Sequence, residues 1–260
     1  MSAPLVKVQV HAPAATITLN RPHKRNALSR ELLSELGQAF FDLHQERRVR
    51  AVILTGAGRS FCAGMDLAEM QATRSEQNSF TRWQDDVLAY REILETMLRF
   101  PKPILAAVGG PALAGGAGLM LAADIVVASR DASFGLPEPR RGLVAGIVAP
   151  LLTFRVGCGQ AAYLMLTSAA IDAERGQRMG LFHEVVEPEQ VWVRAAQLAE
   201  ECAAGAPESL QLTKRMLNET IGEHLGTLLS AGAAVSASAR TTEAATKGLS
   251  AFLEKRPPQW

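Results

Sequence analysis

Two short apolar segments, each followed by a glycine-rich loop, constrain this fold more than any other feature of the sequence. Residues 51–55 (AVILT) lead into a loop over 56–65, and residues 104–108 (ILAAV) lead into a loop over 109–118. Such runs are typical of strands that are buried on both faces. A helix over 119–123 and a third apolar strand follow the second loop. The repetition of strand, glycine loop and helix predicts parallel strands joined by crossovers, and therefore an α/β fold.

The segments before the second loop predict a β-hairpin and two helices. Residues 6–10 and 15–19 alternate apolar with small or polar residues, as the strands of a hairpin do. Ser29 is placed to cap the helix that follows it. Residues 73–86 are mostly polar, which predicts a mobile loop or a loosely held helix start before a helix over 87–100.

After about residue 151 the pattern becomes almost purely helical. One further short strand is predicted over 184–186. The predicted helices cover residues 160–166, 173–179, 189–203, 207–221, 225–240 and 242–252. We therefore divide the chain into an α/β core, residues 1–195, and a helical C-terminal region, residues 196–260. Small residues over 228–239 suit a close contact between helices of an oligomer, and ordinary core packing explains them equally well.

Composition excludes several classes of protein. The chain has 260 residues, of which 48% are hydrophobic and 20% charged, as in a folded domain. A net charge of +1 and 5% aromatic residues give little support to nucleic-acid binding. Three scattered cysteines and five scattered histidines lack the spacing of a disulfide framework or a metal site. We expect a soluble cytoplasmic protein with no metal, no membrane segment and no nucleic-acid partner.

The glycine loops do not match the nucleotide-binding motifs. When G-x-G-x-x-G is started at Gly56 or Gly116, its third glycine is replaced by Phe61 or Leu121. The sequence also lacks a P-loop and the G-x-S-x-G motif of α/β-hydrolases. The loops therefore need another explanation.

Backbone N–H groups and one glutamate are the candidates for chemistry. Each loop passes from a strand to a helix, where N–H groups are unpaired and two of them can hold an oxyanion. The same glycines are equally consistent with simple turns. Glu138 lies between Pro137 and Pro139, and partial burial there would raise its pKa and make it a useful base. An exposed loop glutamate is the alternative.

Six motifs follow one another along the chain: NRP with RNAL over 20–28, ILTG with SFCAGMDLAEM over 53–70, KPILAAV over 102–108, GG with ADI over 115–125, FGLPE over 134–138 and AFLEKRPP over 251–258. In this order and at this spacing they resemble the enoyl-CoA hydratase/isomerase (crotonase) superfamily over nearly the whole chain. The resemblance implies a spiral core of ββα turns with an all-helical C-terminal region. It also implies chemistry on acyl-CoA thioesters through an enolate.

The same resemblance assigns roles to individual residues. The N–H groups of Met65 and Gly115 would form the oxyanion hole, and Glu138 would be catalytic. Phe252 and Lys255 would help to hold coenzyme A, in the same or a neighbouring subunit. The remaining residues that would contact the substrate are Arg25, Ala27, Ala63, Gly64, Asp66, Leu67, Gly116, Gly118, Pro137 and Arg140. Coenzyme A would be part of the substrate, with no separate cofactor, and the subunits would form homotrimers or dimers of trimers through residues 196–260.

One departure from the family pattern concerns the second catalytic glutamate of typical hydratases, which would fall at Gly118. Glycine supplies neither acid nor base, so water held between two glutamates is not available. A single carboxylate suffices for an isomerase, which removes a proton from C2 and returns it at C4.

A second resemblance favours hydration. Residues 115–119 (GGAGL) and 142–152 resemble the bacterial branch that hydrates 3-methylglutaconyl-CoA and its isohexenyl relative. Those substrates carry a distal carboxylate, for which Arg140, Arg141 or Arg155 is a candidate partner, with solvated surface as the alternative role of each. We expect an enzyme that adds water to a 2-enoyl-CoA, with 3-methylglutaconyl-CoA as a candidate. The alternatives are a Δ3–Δ2 enoyl-CoA isomerase and a non-catalytic relative that binds acyl-CoA or RNA.

Overall fold

The strands of the chain form a large sheet and a small one. The computed structural model describes residues 3–221 and 224–260. The strands are β1 (Val6–His11), β2 (Ala14–Leu19), β3 (Ala51–Gly56), β4 (Ile104–Val108), β5 (Ala112–Leu113), β6 (Ile125–Ser129), β7 (Ser133–Gly135), β8 (Ile171–Asp172) and β9 (Glu184–Val186). The large sheet has the order β1-β2-β3-β4-β6-β9 and is parallel apart from the β1–β2 hairpin. The small sheet has the order β5-β7-β8.

Helices follow most of these strands and make up most of the second half of the chain. They are α1 (Arg30–Gln45), α2 (Leu67–Thr73), α3 (Ser79–Arg99), α4 (Gly115–Ala122), α5 (Val148–Thr167), α6 (Ala173–Arg178), α7 (Val191–Ala203), α8 (Pro207–Arg215), α9 (Leu225–Ala239) and α10 (Glu243–Leu253). A π-helical turn, Met216–Ile221, follows α8. None of the helices in the described ranges has both the length and the apolar character needed to cross a membrane. The predicted α/β class and the helical C-terminal region are confirmed.

The two sheets are built together by repeated ββα units. In one unit β4 joins the large sheet, β5 joins the small sheet and α4 follows; β6, β7 and α5 repeat this order. A bridge between Cys62 and Ala112 brings the loop after β3 beside β5. Both glycine-rich loops therefore meet at the same place, between the sheets.

The core explains why these segments form strands and helices. Strands β3 and β4 are almost entirely buried, in agreement with their continuous apolar sequences. Helix α1 begins at the Ser29 cap, whose hydroxyl accepts from Leu32 N at 3.2 Å, and it buries one apolar face against the sheet. On the other face, Ala195 and Ala199 of α7 pack against Ile53. The large sheet is thus covered by helices on both faces.

The polar segment 73–86 is mostly helical, so the mobile-loop alternative is wrong, and the segment contains the start of α3. Helix α3 begins at Ser79 and buries Trp83, whose indole N–H donates to Met70 O at 3.2 Å. Asp86 is also buried, and its ion pair with Arg30 compensates for the buried charge. Polar composition misled the prediction, since the buried positions in this part of the helix carry a tryptophan and a paired acid.

Two helix boundaries and the small sheet differ from the prediction. Helix α4 begins at Gly115 rather than at residue 119, because tertiary packing outweighs the low helix propensity of its glycines. Helix α5 begins at Val148, with Pro150 in its first turn, and Gly157 (φ +77°) divides it into two helical stretches. The short strands of the small sheet, β5, β7 and β8, were not predicted. Strands this short show too little periodicity to be recognised in a sequence.

The C-terminal helices return to the core instead of standing apart from it. The predicted boundary between residues 195 and 196 falls within α7. The small residues of α9 allow close packing inside the chain, because a Cβ on Gly232 would lie about 3 Å or less from Gly146 and Ile147. Core packing therefore explains at least this part of the small-residue segment, and the oligomerisation role stays a prediction.

Candidate active site

The loop after β3 presents the N–H group of Met65. Leu28 N donates to Gly64 O at 2.8 Å, and Asp66 N donates to Leu28 O at 3.0 Å. In a parallel bridge of this kind, the residue between the two bonded neighbours directs its own N–H to the opposite side. Gly64 has φ +89°, a conformation that glycine adopts without strain. The N–H of Met65 therefore points away from Leu28.

A second N–H group lies at the first residue of α4. Gly115 N has no partner within its helix, as expected of a first-turn donor, and in the described chain it has no other backbone acceptor. Ala114 before it is held at φ 52° and ψ −127°, a strained conformation that clusters at functional sites. Its N–H is fixed by Gly135 O of β7 at 3.0 Å. The turn into α4 is therefore set by the small sheet.

The two N–H groups are neighbours because glycines let the loops approach closely. A Cβ built on Gly64 would lie 2.6 Å from Ala114 Cβ and 2.9 Å from Gly115 N, which is closer than packed atoms allow. Gly116 is pressed against the Cys62 carbonyl in the same way. The simple-turn interpretation of these glycines is therefore incomplete. Two adjacent donors of this kind can stabilise negative charge that develops on a carbonyl oxygen.

Glu138 is a buried carboxyl beside these donors. It lies three residues after β7, at the start of a 3₁₀ helix, Glu138–Arg141, and is only 8% exposed. Its Oε2 is buried and, among the described residues, has no hydrogen-bond partner. Burial raises its pKa to about 7, against smaller opposing effects of its own backbone N–H and of Arg141. A carboxyl with such a pKa can accept and return a proton near neutral pH.

One cavity, here called the Glu138 cavity, joins the carboxyl to the two N–H groups. Of the acidic residues that the structure describes, Glu138 alone lines it. The lining residues are Ala63, Met65, Leu67, Met70, Val87, Tyr90, Ala114, Gly115, Glu138, Arg141, Leu143, Val144, Ala145, Ile147, Val148, Ser236 and Arg240. A mostly apolar cavity with a few convergent polar groups is the usual form of a small-molecule site.

Two arginines lie in the cavity wall: Arg240, which the sequence did not single out, and Arg141, one of the three candidates for binding a distal carboxylate. Arg240, at the C-terminal end of α9, is buried, and burial lowers its pKa to about 10. It shares Asp86 with Arg30, at 4.0 and 2.6 Å respectively, so two cations share one carboxylate. Arg141 stacks on the Phe252 ring at 4.5 Å, and burial lowers its pKa as well. The wall of the cavity therefore has an excess of positive charge.

The predicted residues outside the cavity fall into three groups. Arg25 is exposed at the rim, close enough to Arg141 to influence its pKa, and Ala27 lies beside it. Asp66 caps α2 and pairs with Arg21 at 2.5 Å, so its carboxylate is already occupied by partners within the chain. Gly116 and Gly118 are buried in α4 and Pro137 is half-buried, whereas Arg140 and Lys255 are exposed at the surface.

The structure selects among the three arginines considered for a distal carboxylate. Arg140 is exposed and donates to Thr167 O at 3.1 Å. Arg155 donates to the Leu121 and Ala123 carbonyls at 3.2 and 2.7 Å. Arg141 is the one of the three that lines the cavity.

Tyr90 is the other cavity residue that the sequence did not reveal. It lies on α3, is almost fully buried, and its hydroxyl donates to Gly115 O at 2.5 Å. The only signal in the sequence was its position on the apolar face of α3, which is typical of an ordinary core residue. Among the described residues, no group of three or more histidine, cysteine or acidic side chains is arranged to hold a metal ion.

Comparisons with known proteins identify the family to which the chain belongs. The enoyl-CoA hydratase/isomerase family model matches residues 10–260. A short-chain-enoyl-CoA hydratase of Clostridium acetobutylicum is 34% identical over 254 residues, covering 96% of this chain and 95% of that protein. A mevalonyl-coenzyme A hydratase of Aspergillus fumigatus is 35% identical over 252 residues, covering 94% and 90%. The crystal structure of an enoyl-CoA hydratase from Mycobacterium avium has a TM-score of 0.88 at 31% identity and covers 100% of both chains. The chain therefore belongs to the enoyl-CoA hydratase/isomerase family of the crotonase superfamily.

Proposed function

We propose that this enzyme adds water to a 2-enoyl-CoA thioester. One observation carries the proposal: a single buried carboxyl with a pKa of about 7, Glu138, shares a cavity with two adjacent free N–H groups. Hydration needs both elements, a base for water and a site for the enolate oxygen. Family membership supports acyl-CoA as the substrate class.

In the proposed reaction Glu138 serves twice. The thioester carbonyl oxygen accepts hydrogen bonds from the N–H groups of Met65 and Gly115. Glu138 removes a proton from water while the water oxygen bonds to C3, and the electron pair of the C2=C3 bond moves to form the enolate. The carboxyl then returns that proton to C2 as the enolate collapses. The sum is one water added, and no second acid is required.

The acyl group that we propose ends in a carboxylate, as in 3-methylglutaconyl-CoA. Arg141 and Arg240 support this, because both line the cavity, Arg141 half-buried and Arg240 buried, and the Asp86 carboxylate near Arg240 is already paired with Arg30. For the coenzyme A moiety we propose contacts with Arg25, Phe252 and Lys255 near the rim. Overall charge is only +1, so these local groups must attract the phosphates.

The proposed assembly is a homotrimer or a dimer of trimers. Its support is the set of large apolar side chains left exposed on a single chain, which includes Leu166 (82% exposed) and Phe154 of α5 and Val235 of α9. Cys62, Cys158 and Cys202 are all free thiols, which is consistent with the proposed cytoplasmic location.

The test is a comparison of initial rates on 3-methylglutaconyl-CoA, crotonyl-CoA and a 3-enoyl-CoA. We expect hydration of both 2-enoyl thioesters, with the higher kcat/KM on the dicarboxylic one. Isomerisation without hydration would contradict the proposal, and so would tight acyl-CoA binding with no turnover. Arg141→Gln should raise KM for 3-methylglutaconyl-CoA more than for crotonyl-CoA, whereas its exposed neighbour Arg140→Gln should change neither.

A further inference from the structure

We propose that Tyr90 replaces the missing second glutamate, and that its hydroxyl oxygen holds the water that Glu138 activates. This inference rests on the proposed function. Its basis is the position of the phenol ring, which lines the Glu138 cavity and lies directly beside Gly118.

The ring occupies the space that a side chain at position 118 would need. A Cβ built on Gly118 would lie less than 3.0 Å from Tyr90 Oη and 3.2 Å from Tyr90 Cζ. Residue 118 is where the family resemblance places the second glutamate, so the phenol and that glutamate are mutually exclusive. The glycine at position 118 therefore leaves the space that the Tyr90 ring of α3 occupies.

The Tyr90 hydroxyl oxygen is free to accept a hydrogen bond from water. Its one proton is donated to Gly115 O at 2.5 Å, so its lone pairs remain for a donor in the cavity. A second glutamate would also hold water by accepting from it. Water bound between Tyr90 and Glu138 would donate one hydrogen to each oxygen.

Tyr90 takes no proton in this scheme. Burial, with smaller contributions from Cys62 and Glu138, raises the pKa of its hydroxyl well above the ordinary value of 10. The phenol therefore stays protonated while Glu138 accepts the water proton and returns it to C2. The proton balance of hydration is the same with Tyr90 as without it, and only the position of the water changes.

A purely structural role is the competing explanation, because the bond to Gly115 O also fixes the first turn of α4. Exchange of the C2 proton of butyryl-CoA with D₂O separates the two roles. That exchange needs Glu138 and the enolate site, but no water bonded to C3. Loss of a water-holding group lowers hydration alone, whereas loss of structural support lowers hydration and exchange together.

The experiment compares Tyr90→Phe with wild type in both assays on the full-length protein. We expect kcat for crotonyl-CoA hydration to fall by about 10- to 100-fold, which is the effect of one lost hydrogen bond to a reacting group. KM and the rate of C2 exchange should change by less than about threefold. Tyr163→Phe, the change at the other, half-exposed tyrosine of the chain, should alter neither rate.

A second pair of variants tests the inference in case Tyr90→Phe does not fold. Tyr90→Ala removes the ring, and Tyr90→Ala with Gly118→Glu places a carboxyl in the vacated space. We expect the double variant to hydrate crotonyl-CoA faster than the single one.

Three results would overturn the inference. Tyr90→Phe could leave hydration unchanged, it could lower hydration and exchange by the same factor, or the folded double variant could be no faster than Tyr90→Ala. In each of these cases the proposed function still stands if the wild-type enzyme hydrates a 2-enoyl-CoA. A wild type that exchanges C2 protons but hydrates no 2-enoyl-CoA would overturn both proposals.

Discussion

At the scale of single residues, the site depends on a few polar groups that have no hydrogen-bond partner within the described chain. Glu138 was predictable as a candidate base because two prolines and apolar neighbours surround it in the sequence. Tyr90 and Arg240 were not, since their roles arise from contacts between distant segments. A tyrosine on an apolar helix face has no sequence signature that separates cavity lining from core packing.

The pH dependence of hydration should follow the ionisation of Glu138. Only the carboxylate can accept the water proton, and burial raises its pKa to about 7. We expect kcat/KM to rise with pH and to level off above about pH 7. A pH–rate profile measures this directly. A rate that is constant from pH 5 to pH 8 would show that another group is the base.

The same carboxyl should make the protein less stable at high pH. Its pKa is 4.5 in the unfolded chain and about 7 in the folded one, so the folded state holds the proton more tightly. Its contribution is fully present below pH 4.5 and is lost as pH rises through 7, at a cost of about 3 kcal/mol. Glu138→Gln has no charge to bury. In urea unfolding, its stability relative to wild type should therefore be higher at pH 8 than at pH 5, and an equal difference at both would contradict this.

At the scale of secondary structure elements, the buried strands were the most predictable part of the molecule. Strands β3 and β4 are short and apolar, with a glycine at the end of β3 and directly after β4, and these features depend only on local sequence. Helix α4 was predicted to begin too late because its first turn is all glycine and alanine. What those residues provide is close packing against Cys62 and Tyr90, which composition alone does not reveal.

Gly118→Ala should test this packing. The added methyl group would overlap Tyr90 Oη and lie 3.1 Å from Val148 Cγ2, so overpacking should cost about 1–3 kcal/mol. Gly159→Ala in α5 is the matched control, because a Cβ there meets nothing within 4 Å. It should be neutral or stabilise the helix by up to about 1 kcal/mol. Equal free energies of unfolding for the two variants would argue against the close contact between α3 and α4.

At the scale of the whole molecule, one buried ion network connects the early helices to the last ones. Asp86 of α3 pairs with Arg30 of α1 and lies 4.0 Å from Arg240, which follows α9 and lines the Glu138 cavity. The sequence predicted a helical C-terminal region, but not that this region would complete the wall of the cavity. Charge balance over the whole chain conceals such local imbalance.

Asp86→Asn should destabilise the whole fold. It leaves Arg240 buried without its compensating charge, and breaking a buried pair from one side typically costs about 3–5 kcal/mol. Its exposed neighbour provides the control, since Asp85→Asn should change the free energy of unfolding by less than about 0.5 kcal/mol. Denaturant unfolding of both variants at neutral pH measures the difference. Similar stability of the two would mean that Asp86 does not support Arg240.

The central claim is that one buried carboxyl, facing two free N–H groups, performs the chemistry. The most direct test is the rate of crotonyl-CoA hydration by Glu138→Gln at saturating substrate, with the Kd for butyryl-CoA measured in parallel. We predict that hydration falls by about 100-fold or more while the Kd stays within about threefold of wild type. A hydration rate within about threefold of wild type would contradict the claim.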